Sequence, residues 1–228
     1  MGTDRLTPPG LLRLLQLASP TLPVGAYAYS QGLEWAVESG WIRDEHSAAD
    51  WIGGVLGAGP AQLDLPVLVR LYRAWETNNL DRVHYWSRYL DAARESGELQ
   101  AEARQLGESL AVLLTQLGVD AAQPWKDIEY ASFPTLFALA AWHYRVPLPE
   151  TALGFLWAWC ENQAAAAIKL VPLGQTAGQR ILSRLIEQLP ALAERGLALA
   201  DHEIGVLAPR LAIGSARHET QYTRLFRS

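Results

Sequence analysis

The sequence predicts an all-α protein: a single compact bundle of about ten helices with an ordered N-terminal loop and a basic C-terminal tail. Three observations carry that expectation. Apolar residues recur every three or four positions along most of the chain, the spacing of one buried helix face. No segment alternates apolar and polar residues between hairpin turns, as a half-buried strand would. Proline, glycine and short polar residues punctuate the periodic stretches at intervals that suit helix ends. With 228 residues, 50% of them apolar, the chain can bury a sizeable core. It has no fixed-period repeat and no low-complexity linker, so residues 1–228 are expected to form one domain.

In order, Leu11, Leu12, Leu14, Leu15 and Ala18 mark a first helix that ends at Ser19-Pro20. The segment TLPVGAYAYS, with Pro23, Gly25, Tyr27 and Tyr29, reads as an ordered loop. A helix follows from Gln31 to Ser39 and closes at Gly40. Asp44 or Ser47 can cap the next, which runs to Gly59; its Gly53, Gly54 and Gly57 either weaken it or mark a close helix contact. Asp64 with Pro66 resembles an N-cap and first turn of a helix reaching Trp75. Asn78 or Asn79 opens another, with Val83, Trp86, Leu90 and Ala93 on one face. The cleanest stripe runs through Leu99, Ala103, Leu106, Leu110, Leu113 and Leu117 to Gly118. Residues 123–132 read as a loop, and Thr135–Tyr144 as a short apolar helix. Pro149-Glu150 begins a long helix that ends in AAAAIKLVPLGQTAGQR, Ala164 to Arg180. There Pro172 and Gly174 are expected to stop it, Gly174 as a left-handed C-cap, and a new helix starts near Gln175. Ile181, Leu182, Leu185, Ile186 and Leu189 stripe that helix, Pro190 breaks it, and Ala191–Ala200 resumes.

Composition excludes several function classes. One cysteine, Cys160, rules out an internal disulfide and fits a reducing compartment. No signal peptide opens the chain, and no uninterrupted apolar run reaches the roughly 18 residues of a membrane span. A cytoplasmic protein is expected. Net charge is −5, which argues against nucleic acid as the main partner. The charge is uneven: from Pro209 to Ser228 four arginines face one glutamate, a net of +3, so the remainder carries −8. A basic end on an acidic body suggests docking on something acidic.

Enzyme signatures are missing. The chain has no phosphate loop and no G-x-S-x-G elbow. Cys160 sits mid-helix between Trp159 and Glu161 and reads as a buried inert thiol. Lys169 could be an activated amine, but a lysine near a helix C-terminus is already favoured by the helix dipole. Of His46, His84, His143, His202 and His218, no two are spaced as metal ligands on one helix face. The tail, ARHETQYTRLFRS, mixes arginine with Tyr222, Leu225 and Phe226, residue types that dominate binding hot spots. It either packs back on its own body or orders upon a partner; the charge asymmetry favours the second.

Three stretches together resemble the UreF family of urease accessory proteins: Leu14–Ile42, LLQLASPTLPVGAYAYSQGLEWAVESGWI; Lys169–Leu182, KLVPLGQTAGQRIL; and Ile213–Ser228, IGSARHETQYTRLFRS. Weaker similarity links them through LDLPVL and Arg94-Glu95. Ala28 stands where members often carry Ser, and Arg94-Glu95-Ser96-Gly97-Glu98 where they commonly read RETRE. The resemblance implies an all-α, non-catalytic, dimerising protein without a cofactor of its own. In that picture it bridges a UreD/UreH-type scaffold to the GTPase UreG on apo-urease, and nickel is handled by the assembly. It further implies that the tail, with Arg217, His218, Glu219, Tyr222, Arg224 and Phe226, meets UreD/UreH. Tyr27 with Lys169, Pro172, Gly174 and Gln175 would form the surface for UreG or for the dimer. The alternative is a nickel-binding metallochaperone acting through His218 or His202.

Overall fold

The computed structural model describes residues 5–206 and 208–228. Among them the fold is all-α, with eleven α-helices and no strand. They are α1 (Pro8–Leu17), α2 (Leu33–Glu38), α3 (Glu45–Ala58), α4 (Leu65–Glu76), α5 (Leu80–Ala92), α6 (Gly97–Gln116), α7 (Phe133–His143), α8 (Leu148–Leu170), α9 (Gln175–Ile186), α10 (Leu189–Ala198) and α11 (Pro209–His218).

Their starts follow from short polar side chains that satisfy orphan N–H groups. The Thr7 hydroxyl accepts from Gly10 N at 3.2 Å. Asp44 and Ser47 form a reciprocal capping box, with Ser47 N donating to Asp44 Oδ1 at 2.8 Å. Asn79 and Ser96 cap α5 and α6 in the same way, each at 3.1 Å. Gly40 and Gly118 leave helix ends with φ of +76° and +83°, where glycine is unstrained.

α7 is apolar on every side, and Leu136 to Ala141 are fully buried. A helix of that pattern belongs at the centre of a fold. It packs against α4, whose Leu65, Leu68 and Leu71 are equally buried, and α8 lies along both. Burying each such leucine contributes about 1.5–3 kcal/mol. The helical run Glu45–Glu76, through the turn at Pro60–Asp64, is long and apolar enough to cross a membrane, yet 72% of its most apolar window is buried inside the fold. Its hydrophobicity is therefore consumed by the core.

Four local expectations are corrected. Asp64 does not cap α4: its backbone is already helical, and its carboxylate instead pairs with Arg94 Nη2 at 2.5 Å. Gly174 is not left-handed; with φ −76° and ψ 163° it is the extended N-cap of α9. The expected loop 123–132 is irregular only over 128–132; its first part belongs to a 3₁₀ segment, Asp120–Asp127. Of the α3 glycines, Gly54 and Gly57 face open space and Gly53 meets Gln188 and Leu185 only at ordinary contact distance, 3.6–3.7 Å, so of the two readings the close helix contact falls.

Candidate interaction surface

The corner between α8 and α9 is built by packing. Lys169 lies in the last turn of α8, and Val171 N donates to Ala167 O at 2.9 Å before the chain turns away at Pro172. A Cβ on Gly178 would stand 2.2 Å from Ile168 Cδ1, so only glycine lets α9 cross this close to α8. On its other side α9 is tied to α3 by Arg180 Nε to Glu45 Oε1 at 2.9 Å and Arg184 Nη2 to Asp50 Oδ1 at 3.2 Å. Lys169, Pro172, Gly174 and Gln175 are all exposed on the resulting elbow.

The opening loop meets the same place. Gly25, at φ +84°, starts a 3₁₀ turn over Ala26–Ala28 that turns Tyr27 outward, 68% exposed, and Tyr29 inward. α8 holds the loop from beneath: Asn162 Nδ2 donates to Tyr29 O at 3.2 Å, and Trp159 Nε1 to Gln31 Oε1 at 2.8 Å. Lys169 Nζ stands 6.0 Å from the Tyr27 ring centre and 5.7 Å from that of Phe226. Two ring faces thus attract one ammonium. Residues near 27, 169 and 226 in sequence become one surface.

The tail packs back on its own body, the alternative that its charge did not favour. α11 and residues 219–228 pack back on the body, chiefly on α2 and α6. Close approach of Gly32 and Gly214 admits this: a Cβ on Gly32 would lie 3.1 Å from Ser215 N. His218 is fully buried between two carboxylates, with Nδ1 at 2.8 Å from Glu98 Oε2 and Nε2 at 3.1 Å from Glu34 Oε2. Glu34 also accepts the Leu225 and Phe226 N–H groups at 2.7 and 2.9 Å. Glu98 takes Arg224 Nη1 at 2.8 Å, and its own N–H donates to Glu219 Oε1 at 3.3 Å. Arg227 N donates to Ala28 O at 2.8 Å, and the Ser228 main-chain oxygen accepts from Ser30 N at 2.7 Å and Ser30 Oγ at 2.6 Å. His218 and Arg224 thus dock on carboxylates of the chain's own body.

A cavity of about 140 Å³ is lined by Gln31, Asp64, Arg94, Glu95, Glu102, Trp159, Asn162 and mostly apolar side chains besides. Glu102 accepts from Gln31 Nε2 at 2.7 Å and Ser228 Oγ at 2.8 Å. Burial pushes its carboxyl up to about 7 despite those bonds. Burial likewise holds the Cys160 thiol protonated, at about 12, which removes it as a nucleophile. Among the described residues no group of three or more His, Cys, Asp or Glu is placed to hold a metal ion. Both nitrogens of His218 are engaged by carboxylates, at 2.8 and 3.1 Å, and the ring is buried.

The structure thus brings Tyr27, Lys169 and Phe226 together and sets Pro172, Gly174 and Gln175 beside Lys169. His218 and Phe226, expected as anchors for a partner, are buried against the body, Phe226 at 5% exposure. Arg217, Glu219, Tyr222 and Arg224 stay on the outer face, with Tyr222 wholly in solvent. Sequence reasoning missed Glu34, Glu98 and Glu102. The signal for them was the −8 charge of the body, which had to lie somewhere opposite the tail.

Comparison with known proteins adds a family. The UreF family model matches residues 42–186. Over the full length of both chains, the protein is 53% identical to the urease accessory protein UreF of Alkalilimnicola ehrlichii and 50% identical to that of Pseudomonas entomophila. It is 47% identical to the Psychrobacter cryohalolentis protein of the same name over 96% of this chain and 94% of that one. The full-length matches span the opening loop and the tail, which lie outside the family model's range.

Proposed function

The chain belongs to the UreF family of urease accessory proteins, and on that premise we propose that it is a non-catalytic scaffold of urease maturation. It joins a UreD/UreH-type protein to the GTPase UreG on apo-urease, modulates GTP hydrolysis there, and lets the assembly insert nickel as cargo. The observation that carries this reading is the convergence of Tyr27, Lys169 and Phe226, from three distant stretches, on one surface. The exposed elbow from Lys169 to Gln175 with Tyr27 recruits UreG. The outer face of the tail, with Arg217, Tyr222 and Arg224, meets UreD/UreH in a cytoplasmic homodimer. Arginine and tyrosine exposed on an ordered frame are what an interface core uses.

Co-purification of the full chain with UreD- and UreG-type partners tests this. Lys169→Ala should lose UreG and keep UreD/UreH, Tyr222→Ala should lose UreD/UreH, and both should fail to activate urease. Folded variants that assemble and activate normally reject the assignments. The metallochaperone reading predicts tight stoichiometric nickel binding by the isolated chain in calorimetry. The buried, doubly engaged His218 speaks against that outcome.

A further inference from the structure

Protein interiors hold few voids wider than a water molecule, yet this one has a cavity of about 140 Å³. Its wall is drawn from α1 and the loop after it, from the turn before α4, and from α6, α7 and α8. Most of that wall is apolar. Leu63, Leu99 and Leu106 line it, and so do Phe133 and Phe155, whose rings stack with centres 6.3 Å apart. Pro20 and Glu95 also line it and are exposed, so the cavity reaches the surface. An apolar void of about 150 Å³ is large enough to hold a benzene ring.

Two polar features set this cavity apart from a plain apolar void. Arg94 lies on its wall, with Nη1 and Nη2 both donating to Asp64, at 3.3 and 2.5 Å. The remaining guanidinium nitrogen, Nε, is buried and has no acceptor among the described residues. A buried donor left unpaired carries a desolvation cost that an incoming acceptor relieves. Glu102 stands on the same wall, where Gln31 Nε2 and Ser228 Oγ each donate to one of its oxygens. That leaves further lone pairs able to accept.

These groups select the ligand. An anion would face Asp64, Glu95 and Glu102, three acids against one arginine. A cation brings no acceptor, so Arg94 Nε stays unpaired, and a hydrocarbon has the same defect. A neutral single-ring alcohol answers both polar groups. Its oxygen accepts from Arg94 Nε, its hydrogen is donated to a carboxyl oxygen, and its ring joins Phe133 and Phe155.

We propose that this cavity is a binding site for a small neutral aromatic alcohol of the phenol class, oriented by Arg94 Nε and the carboxyl of Glu102. Neither Tyr27 nor Lys169 lines it, and the inference does not rest on the scaffold reading.

Methyl NMR on the full-length chain tests it, with phenol and benzene titrated separately. Phenol should shift the methyls of Leu63, Leu99 and Leu106 saturably, while Leu185 on α9, which is not on the wall, stays put. A void without polar partners prefers benzene to phenol by about tenfold or more, because the hydroxyl gives up its hydrogen bonds to water. Here phenol should bind at least as tightly as benzene. Ala103→Leu, which places a larger side chain in the wall, should weaken both about tenfold or more, the effect of filling the space a ring needs. Arg94→Met should weaken phenol about tenfold relative to benzene, the loss of one hydrogen bond from a charged donor. No saturable shift of the wall methyls with phenol overturns the proposal, as does phenol binding tenfold more weakly than benzene. Phenol affinity unchanged in folded Ala103→Leu or in folded Arg94→Met overturns it too. Should either variant not fold, the wild-type shifts and the phenol-to-benzene ratio still decide.

Discussion

The two halves of the candidate surface are held by opposite means. The α8–α9 elbow is fixed mainly by shape: Gly178 against Ile168, α9 packed on α3 with only solvent-exposed ion pairs between them, and a helix end that needs no buried charge. The tail is fixed by polar groups withdrawn from water, with His218 on Glu34 and Glu98, and Ser228 on Glu102. Packing is indifferent to protons and nearly so to salt. A buried charge network depends on its protonation state and loses much when one member is removed. One surface therefore combines a permanent element with a conditional one, joined where Lys169 lies between Tyr27 and Phe226.

The contrast can be broken at its strongest point first. Glu34→Ala leaves His218 Nε2 and two backbone N–H groups without their partner. Breaking a buried pair of this kind costs about 3–5 kcal/mol, although undocking of the tail limits what global unfolding registers. Proteolysis after residue 218 should become rapid while the elbow stays resistant.

Next is the pH dependence of Glu102. Its carboxyl is raised from 4.5 to about 7 by burial. A raised carboxyl contributes stability that is complete below pH 4.5 and is lost as pH climbs to about 7, on the order of 3 kcal/mol in all. Denaturant melts across that window should show the decline in the wild type, and Glu102→Gln should flatten it.

Gly178→Ala attacks the other half. The new methyl meets Ile168 at 2.2 Å, and overpacking of this kind costs about 1–3 kcal/mol. That loss should be the same at any pH, and tail protection should not change. The smallest effect belongs to Tyr222→Ala: the ring is wholly in solvent, so stability should move by less than about 0.5 kcal/mol. Only partner binding should respond.

The helices were legible because their signals are local. Asp44 and Ser47 cap α3 across three residues, and the leucine stripe of α6 lies within one helix. Asp64 misled because an acidic residue before Pro66 fits a cap, while its true partner, Arg94, is thirty positions away. Gly174 misled for the converse reason: Pro172 followed by glycine fits a C-cap, but Val171 already ends α8 in an extended conformation. The tail cradle was illegible residue by residue. Glu34, Glu98 and Glu102 sit on helices where glutamate usually faces water, and their partners lie more than a hundred positions along the chain. Only the charge imbalance between body and tail foretold that something acidic would receive the basic end.

The claim on which the account rests is that the elbow, as a fixed surface, recruits UreG separately from the tail. A binding titration of UreG-type protein onto the preassembled complex of this chain with UreD/UreH measures it. For Lys169→Ala the account predicts affinity weaker by about tenfold or more, the scale of losing one interface anchor, with UreD/UreH binding unchanged. Equal affinity for wild type and variant would contradict it.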